Sequence, residues 1–151
     1  MLINEDMPEE RFKIIPTVYL ILRKGDGVLL ARRYNTGFHD GDYSFPAGHL
    51  NGNETALAAM IREVKEEIGI ILNPQDLNLI HVLHRKEPNE ERINLFFTAG
   101  KWIGEPAIMD PDKCDDLNWF RLDNLPENII PYVRQVISCL KEGIFYSEFG
   151  W

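Results

Sequence analysis

Cysteine is scarce in this chain: of 151 residues only Cys114 and Cys139 are cysteines. They form no CxxC pair, and the four histidines complete no zinc-ligand spacing with them. A disulfide framework is therefore excluded, and both are expected to be ordinary reduced thiols, the cytosolic pattern. Long apolar runs are also missing, and none approaches the ~20 residues that a membrane span needs. The first residues, MLINEDMPEER, are acidic and lack the basic start and apolar core of a signal peptide, so a cytoplasmic location is expected. Basic charge is in deficit, with 16 Lys and Arg against 24 Asp and Glu, a net charge of −8. That balance argues against a nucleic-acid polymer as partner, because polymer binding needs clustered basic surface. It does not exclude a small phosphorylated ligand, since divalent cations can sit between two anions.

What is present is ordinary for a globular protein: 44% hydrophobic and 26% charged residues, without repeats or low-complexity tracts. A chain of this size suits one domain, residues 1–151, around one core. Residues 12–23 (FKIIPTVYLILR) read as a strand, Lys24 to Gly27 as a turn, and Val28 to Arg33 as the returning strand. A polar loop spans 34–42, and Pro46 stops a short strand at 43–45. Further strands are expected at 77–84, 92–99 and 117–121, with a last helix from about Glu127 to Lys141 that tolerates Pro131 only in its first turn. This order predicts an α/β fold, a mixed sheet with helices on both faces.

The clearest helix covers 54–68, with Leu57, Met60, Ile61, Val64 and Ile68 in one apolar stripe, Asn53 as a plausible N-cap and Gly69 ending it. At ~100° per residue, Glu66 lies about 60° to one side of Glu63 and Glu67 about 40° to the other. Three carboxylates thus share one arc, and Ala59, one turn earlier, leaves room for a ligand to approach. Like charges at these spacings repel, and Arg62 alone cannot neutralise three acids. One reading is a solvated acidic face. The other is a platform of hard oxygen ligands for Mg²⁺ or Mn²⁺. The glycines of the preceding Phe45-Pro46-Ala47-Gly48 and Gly52-Asn53-Glu54 segments let the backbone pass close to an ion or phosphate.

Gly48, Glu54, Arg62, Glu63, Val64, Glu66, Glu67, Gly69 and Ile70 match every specified position of G-x5-E-x7-R-E-U-x-E-E-x-G-U. Seven positions demand one residue type, so a chance match is roughly one in a million at average usage. The segment resembles the box of the Nudix hydrolase family. The resemblance implies a Nudix-type α/β/α sandwich and metal-dependent hydrolysis of a diphosphate linkage in a nucleoside diphosphate linked to another moiety. It also implies Glu63, Glu66 and Glu67 as ligands of Mg²⁺ or Mn²⁺, with the main-chain carbonyl of Ala47 as a further one. Arg62 would orient Glu63, and Glu54 would be a supporting carboxylate. Trp102 to Pro106 is similar to a segment of the MutT branch, which implies Glu105 as another ligand or the base. Glu63, Glu91 and Asp110 stay open as alternatives for the base.

Specificity has to come from outside this box. Phe38, Tyr43, Phe97, Trp102 and Trp119 are candidates to stack on a base, although strand aromatics are more often core. Arg85, Lys86 and Arg92 are candidates for outer phosphates, against a reading as exposed, solvated charges. The size of the chain suits a MutT-like enzyme that takes a (d)NTP or an oxidised (d)NTP to NMP and pyrophosphate. ADP-ribose or a nucleotide sugar is the alternative, and a non-catalytic nucleotide-binding module is the third. The aromatic tail Gly143 to Trp151 reads as docking on its own core or on a second subunit, and the oligomeric state is not set by the sequence.

Overall fold

A computed structural model describes residues 9–151; the start of the acidic segment, residues 1–8, lies outside them. The elements run β1 (Ile15–Leu20), β2 (Arg23–Lys24), β3 (Gly27–Arg33), β4 (Tyr43–Ser44), β5 (Ala47–His49) and α1 (Ala56–Ile68). After a single 3-10 turn at Pro74–Asp76 come β6 (Leu77–Glu87), β7 (Glu90–Ala99), β8 (Cys114–Arg121), α2 (Pro131–Lys141) and β9 (Tyr146–Phe149).

The larger sheet has the order β5-β1-β7-β6-β9 and is mixed: β1 runs parallel to β7 and β6 to β9, while the other neighbours are antiparallel. In the smaller sheet β3 is central, with β8 on one edge and β2 and β4 sharing the other. The expected single strand 12–23 is two pieces. β1 ends at Leu20, and after Ile21 and Leu22 the chain joins the second sheet as β2. Ile21 still donates to Phe97 O, and Leu22 O accepts from Leu29 N, so this crossing keeps its backbone groups paired.

Alternation along Val18 to Leu22 shows why this stretch carries no charged or small polar residue. Val18, Leu20 and Leu22 join the core beneath α1, while Tyr19 and Ile21 join the core beneath α2. A strand buried on both faces loses the polar half of the period-2 pattern. Met60, Val64 and Ile68 close α1 onto one face, and Tyr132, Val133, Val136 and Ile137 close α2 onto the other. The result is the α/β/α sandwich.

Three boundaries differ from expectation. Thr55, not Asn53, caps α1: its side chain accepts from Ala58 N at 3.1 Å, while Asn53 sits at φ 64 in the turn before it. Glu54 is outside the helix because its carboxylate is committed to Asn51 N and to Arg62. α2 begins at Pro131, where the absent N–H costs nothing. The tail docks on its own sheet: β9 lies parallel along β6, and Trp151 donates to His84 O. Both cysteines are free thiols. Among the described residues no helix is long and apolar enough to cross a membrane.

Candidate active site

α1 carries its three acids to different surroundings. Glu63 and Glu67 line a cleft of about 540 Å³ that opens beside β5, whereas Glu66 stays at the solvent edge with 60% of its side chain exposed. Val64 and Ile68, the apolar positions between and beyond them, anchor the helix so that this face is turned to the cleft. Ala59 leaves no room for a ligand: it is fully buried in the core, because the sheet-facing arc is wider than the stripe suggested.

β5 supplies the opposite wall. Gly48 lies directly under Glu63, and a β-carbon on it would overlap Cγ and Cδ of that glutamate. Here glycine serves a close approach rather than a turn. Ala47 and His49 line the cleft on either side of it. Arg92 Nη1 lies 2.8 Å from His49 Nε2, so that imidazole nitrogen is the acceptor, and burial followed by the Arg92 charge holds His49 below its ordinary pKa.

Arg62 ties the helix to the loop before it. Its Nε and Nη2 reach both carboxylate oxygens of Glu54 (3.1 and 2.7 Å), Nη2 reaches His49 O (3.1 Å), and Nη1 reaches Glu63 Oε1 (2.8 Å). Glu66 is a looser partner at 3.5 Å. The guanidinium thus fixes one oxygen of Glu63 and leaves the other free. Glu54 is held below the usual carboxylate range by Arg62 and then by Asn51 N–H.

Glu67 is pushed up to about 7, first by burial and then by the charges of Glu63 and Asp110, against weaker relief from Lys113 and Arg33. The arrangement suits a divalent cation. Two helix carboxylates, Asp110 and the backbone at Ala47 and Gly48 face one cleft, all hard oxygen donors, and their repulsion falls on Glu67. Among the described residues no three acidic, histidine or cysteine groups are already closed to ligand distances. The set is preorganised by Arg62 and Gly48 but open.

The other expected residues divide clearly. Glu105 is exposed and outside the cleft wall, because its turn faces outward beyond the C-terminus of α1. The following chain folds back there: Ala107 and Met109 donate to the helix-end carbonyls of Ile68 and Glu67 at 3.0 Å, and this returns Asp110 to the cleft. Glu91 instead sits 3.3 Å from His84 on the strand surface, outside the cleft lining. Of the five candidate stacking aromatics only Phe38 lines the cleft. Phe97 is buried beneath α1, Trp102 and Trp119 stack on each other at 6.3 Å, and the Tyr43 hydroxyl bonds Asp116. Lys86 lies over Trp151 rather than the cleft. Arg92 lines the cleft, and so does Arg85, which is only 1% exposed and not a solvated surface charge. Arg33 and Lys113, which the sequence did not single out, also line it; nothing distinguishes the end of an apolar strand or a loop lysine in the linear pattern.

Comparison with known proteins agrees with this geometry. A family model described as the NUDIX domain matches residues 13–138. The chain belongs to the NUDIX family, the class of the Nudix hydrolases. It is 30% identical over 114 residues to a protein of Stutzerimonas stutzeri (strain A1501) named NAD-capped RNA hydrolase NudC, covering 76% of this chain and 39% of that one. A protein of the same name from Pseudomonas entomophila (strain L48) is 33% identical over 114 residues, again 76% and 39% of the two chains. The chain therefore spans about two fifths of the length of these relatives. Among solved structures, a MutT NUDIX hydrolase from Burkholderia pseudomallei superposes with a TM-score of 0.77 at 26% identity, covering 84% of this chain and 98% of that one. A MutT protein from Methanosarcina mazei Go1, at a TM-score of 0.73 and 20% identity over 85% and 94% of the chains, shares the fold. The fold is that of MutT-like Nudix proteins.

Proposed function

We propose that residues 1–151 form a single Nudix hydrolase domain that uses Mg²⁺ or Mn²⁺ to cut a diphosphate linkage in a nucleotide-type small molecule. The observation that carries this reading is the joint presence of Glu63, Glu67 and Asp110 with Arg33, Arg92 and Lys113 around one cleft. Acids alone would repel a phosphate, and bases alone would bind it without activating water. Glu63, Glu67 and the carbonyl of Ala47 would hold the metal, with Glu66 joining from the solvent edge. The metal would supply charge neutralisation on the diphosphate and a more acidic water.

The chain's own groups do the rest. Arg62 holds Glu63 in place, and Gly48 admits it. Arg33, Arg92 and Lys113 offset phosphate charge on the far side. Asp110, one of the acids open as the base alongside Glu105, is the loop acid within the cleft and would serve there as further ligand or proton acceptor.

The substrate we favour is a (d)NTP or an oxidised (d)NTP, giving NMP and pyrophosphate, and the MutT-named structural relatives support it. A second reading is a dinucleotide or nucleotide-sugar diphosphatase. The NudC-named relatives favour that one, with the proviso that a net charge of −8 gives little purchase for an RNA polymer. Incubation of the chain with (d)NTPs, 8-oxo-dGTP, ADP-ribose, nucleotide sugars and NAD separates these readings, with pyrophosphate and monoester products assayed separately. Turnover that stops on chelation supports the hydrolase. Binding of nucleotides with no turnover at any metal concentration supports the non-catalytic module. We place the protein in the cytoplasm.

A further inference from the structure

Arg85 is the least expected group in the cleft. It projects from β6, between β7 and the edge strand β9, is 1% exposed, and its guanidinium lies 4.2 Å from the ring centre of Tyr132 and 5.6 Å from that of Phe38. Glu87 takes Nη1, and Nε is buried without any partner. A buried arginine is costly to keep unless its donors are satisfied. The side chain lines the cleft, so the missing acceptor has a place from which to come.

We infer that Arg85 selects the base: its Nε edge donates a pair of hydrogen bonds to the O6 and N7 atoms of a 6-oxopurine, so the cleft prefers guanine or hypoxanthine to adenine. The inference rests on the reading of this cleft as a nucleotide site and names the base that it takes. Three observations carry it. The Nε–H and the neighbouring Nη2–H point the same way in a fixed plane, which fits two adjacent acceptors. Glu87 already balances the charge of Arg85, so a phosphate here would face a carboxylate, whereas a neutral base edge would not. Arg92 is likewise paired, with Glu90, but Arg33 and Lys113 line the cleft without a carboxylate partner among the described residues and are available for phosphate.

Aromatic rings also bound the position. Tyr132 already stacks on the guanidinium, and Phe38 stands on the loop over it, as a flat ligand requires. Ser44 of β4, whose Oγ is likewise buried without a partner, also lines the cleft. Adenine presents an amino donor where a 6-oxopurine has O6, and the donor would face Arg85 unpaired. In 8-oxoguanine N7 carries a hydrogen, so the same edge is spoiled and weaker binding follows.

The test is calorimetric titration of the full chain, treated with chelator, with GMP, IMP, AMP, 7-deaza-GMP and ribose 5-phosphate. GMP and IMP are expected to bind about tenfold or more tighter than AMP, and loss of N7 in 7-deaza-GMP to remove most of that gain. Arg85→Lys, which keeps the charge but not the fork, is expected to bring the GMP to AMP ratio close to one while ribose 5-phosphate binding is unchanged. Equal affinity for the bases in the wild type overturns the inference, as does an unchanged ratio in Arg85→Lys. Weakened ribose 5-phosphate binding in that variant assigns Arg85 to phosphate and overturns it too. If Arg85→Lys does not fold, the comparison of GMP with 7-deaza-GMP on the wild type decides alone. Because no metal is present and a monophosphate has no diphosphate linkage to cut, this titration reads base selection alone, and base-selective binding together with no turnover of any diphosphate in the metal-supplied panel keeps this inference and removes only the hydrolase. Failure of every monophosphate to bind overturns this inference and leaves the metal-dependent hydrolase to the turnover assay.

Discussion

The side chain of Glu63 lies on the α-carbon of Gly48, close enough that any β-carbon there would overlap its Cγ and Cδ. One residue on an edge strand and one on a helix thereby share a single space. Gly48→Ala is expected to push Glu63 out of the cleft with little change in fold, since β5 itself pairs through its backbone with β1. We predict a loss of about 100-fold in kcat/KM, of the size seen when a positioned catalytic group is displaced. Steady-state kinetics beside a melting curve checks this. A fall in Tm without a fall in kcat would show that Glu63 is not needed where it lies.

Arg62 joins Glu54, Glu63 and the His49 carbonyl in one network. Arg62→Lys keeps the charge but cannot bond both oxygens of Glu54 and one of Glu63 together. Turnover is expected to fall about 10-fold or more, with a weaker apparent metal affinity and a modest loss of thermal stability. If Arg62→Lys equals the wild type in metal titrations, the network does not position Glu63.

Glu67 gives a pH prediction. In the metal-free protein its pKa is about 7, against 4.5 for the ordinary carboxylate, so the native state holds the proton more tightly than the unfolded chain. Stability from this group is therefore highest at low pH and is lost as pH rises through the window from 4.5 to 7. Glu67→Gln removes that loss. The metal-free variant is expected to be more stable than wild type at pH 8, by on the order of 1 to 3 kcal/mol, and to lose the advantage toward pH 4.5. Denaturant melts with chelator at the two pH values test it. A variant that is less stable at pH 8 would contradict the burial of charge at this position.

Asp110 and Glu105 can be separated directly. Asp110→Asn is expected to lower kcat/KM by about 100- to 10,000-fold, the range for a general acid–base group, whereas Glu105→Gln is expected to stay within about twofold of wild type. Parallel assays on the two variants suffice. The opposite order would return the role to Glu105.

The sequence showed the chemistry of the helix better than its setting. Glu63 and Glu67 share a face because 3.6-residue periodicity is a local property, and Gly69 ends α1 in the left-handed conformation as its type suggests. The mixed sheet between two helical layers was legible for the same reason. What lay outside α1 was not. Whether Glu105 or Asp110 reaches the cleft depends on Ala107 and Met109 bonding to the end of α1, a contact between distant segments. Arg85 looked like one charge in a solvated run, HRKEPNEER, until the stacking of Tyr132 from α2 placed it inside. Asn53 and Thr55 are both good capping types, and the competition of Glu54 for Asn51 and Arg62 decided between them.

The most direct test of the central claim compares wild type with Glu67→Gln in hydrolysis of the nucleotide panel at saturating Mg²⁺ or Mn²⁺. The account predicts that wild type turns over one class of diphosphate only when metal is present, and that the variant, still folded, loses at least about 100-fold of that rate. Equal turnover by the two proteins, or turnover that persists after chelation, would contradict it.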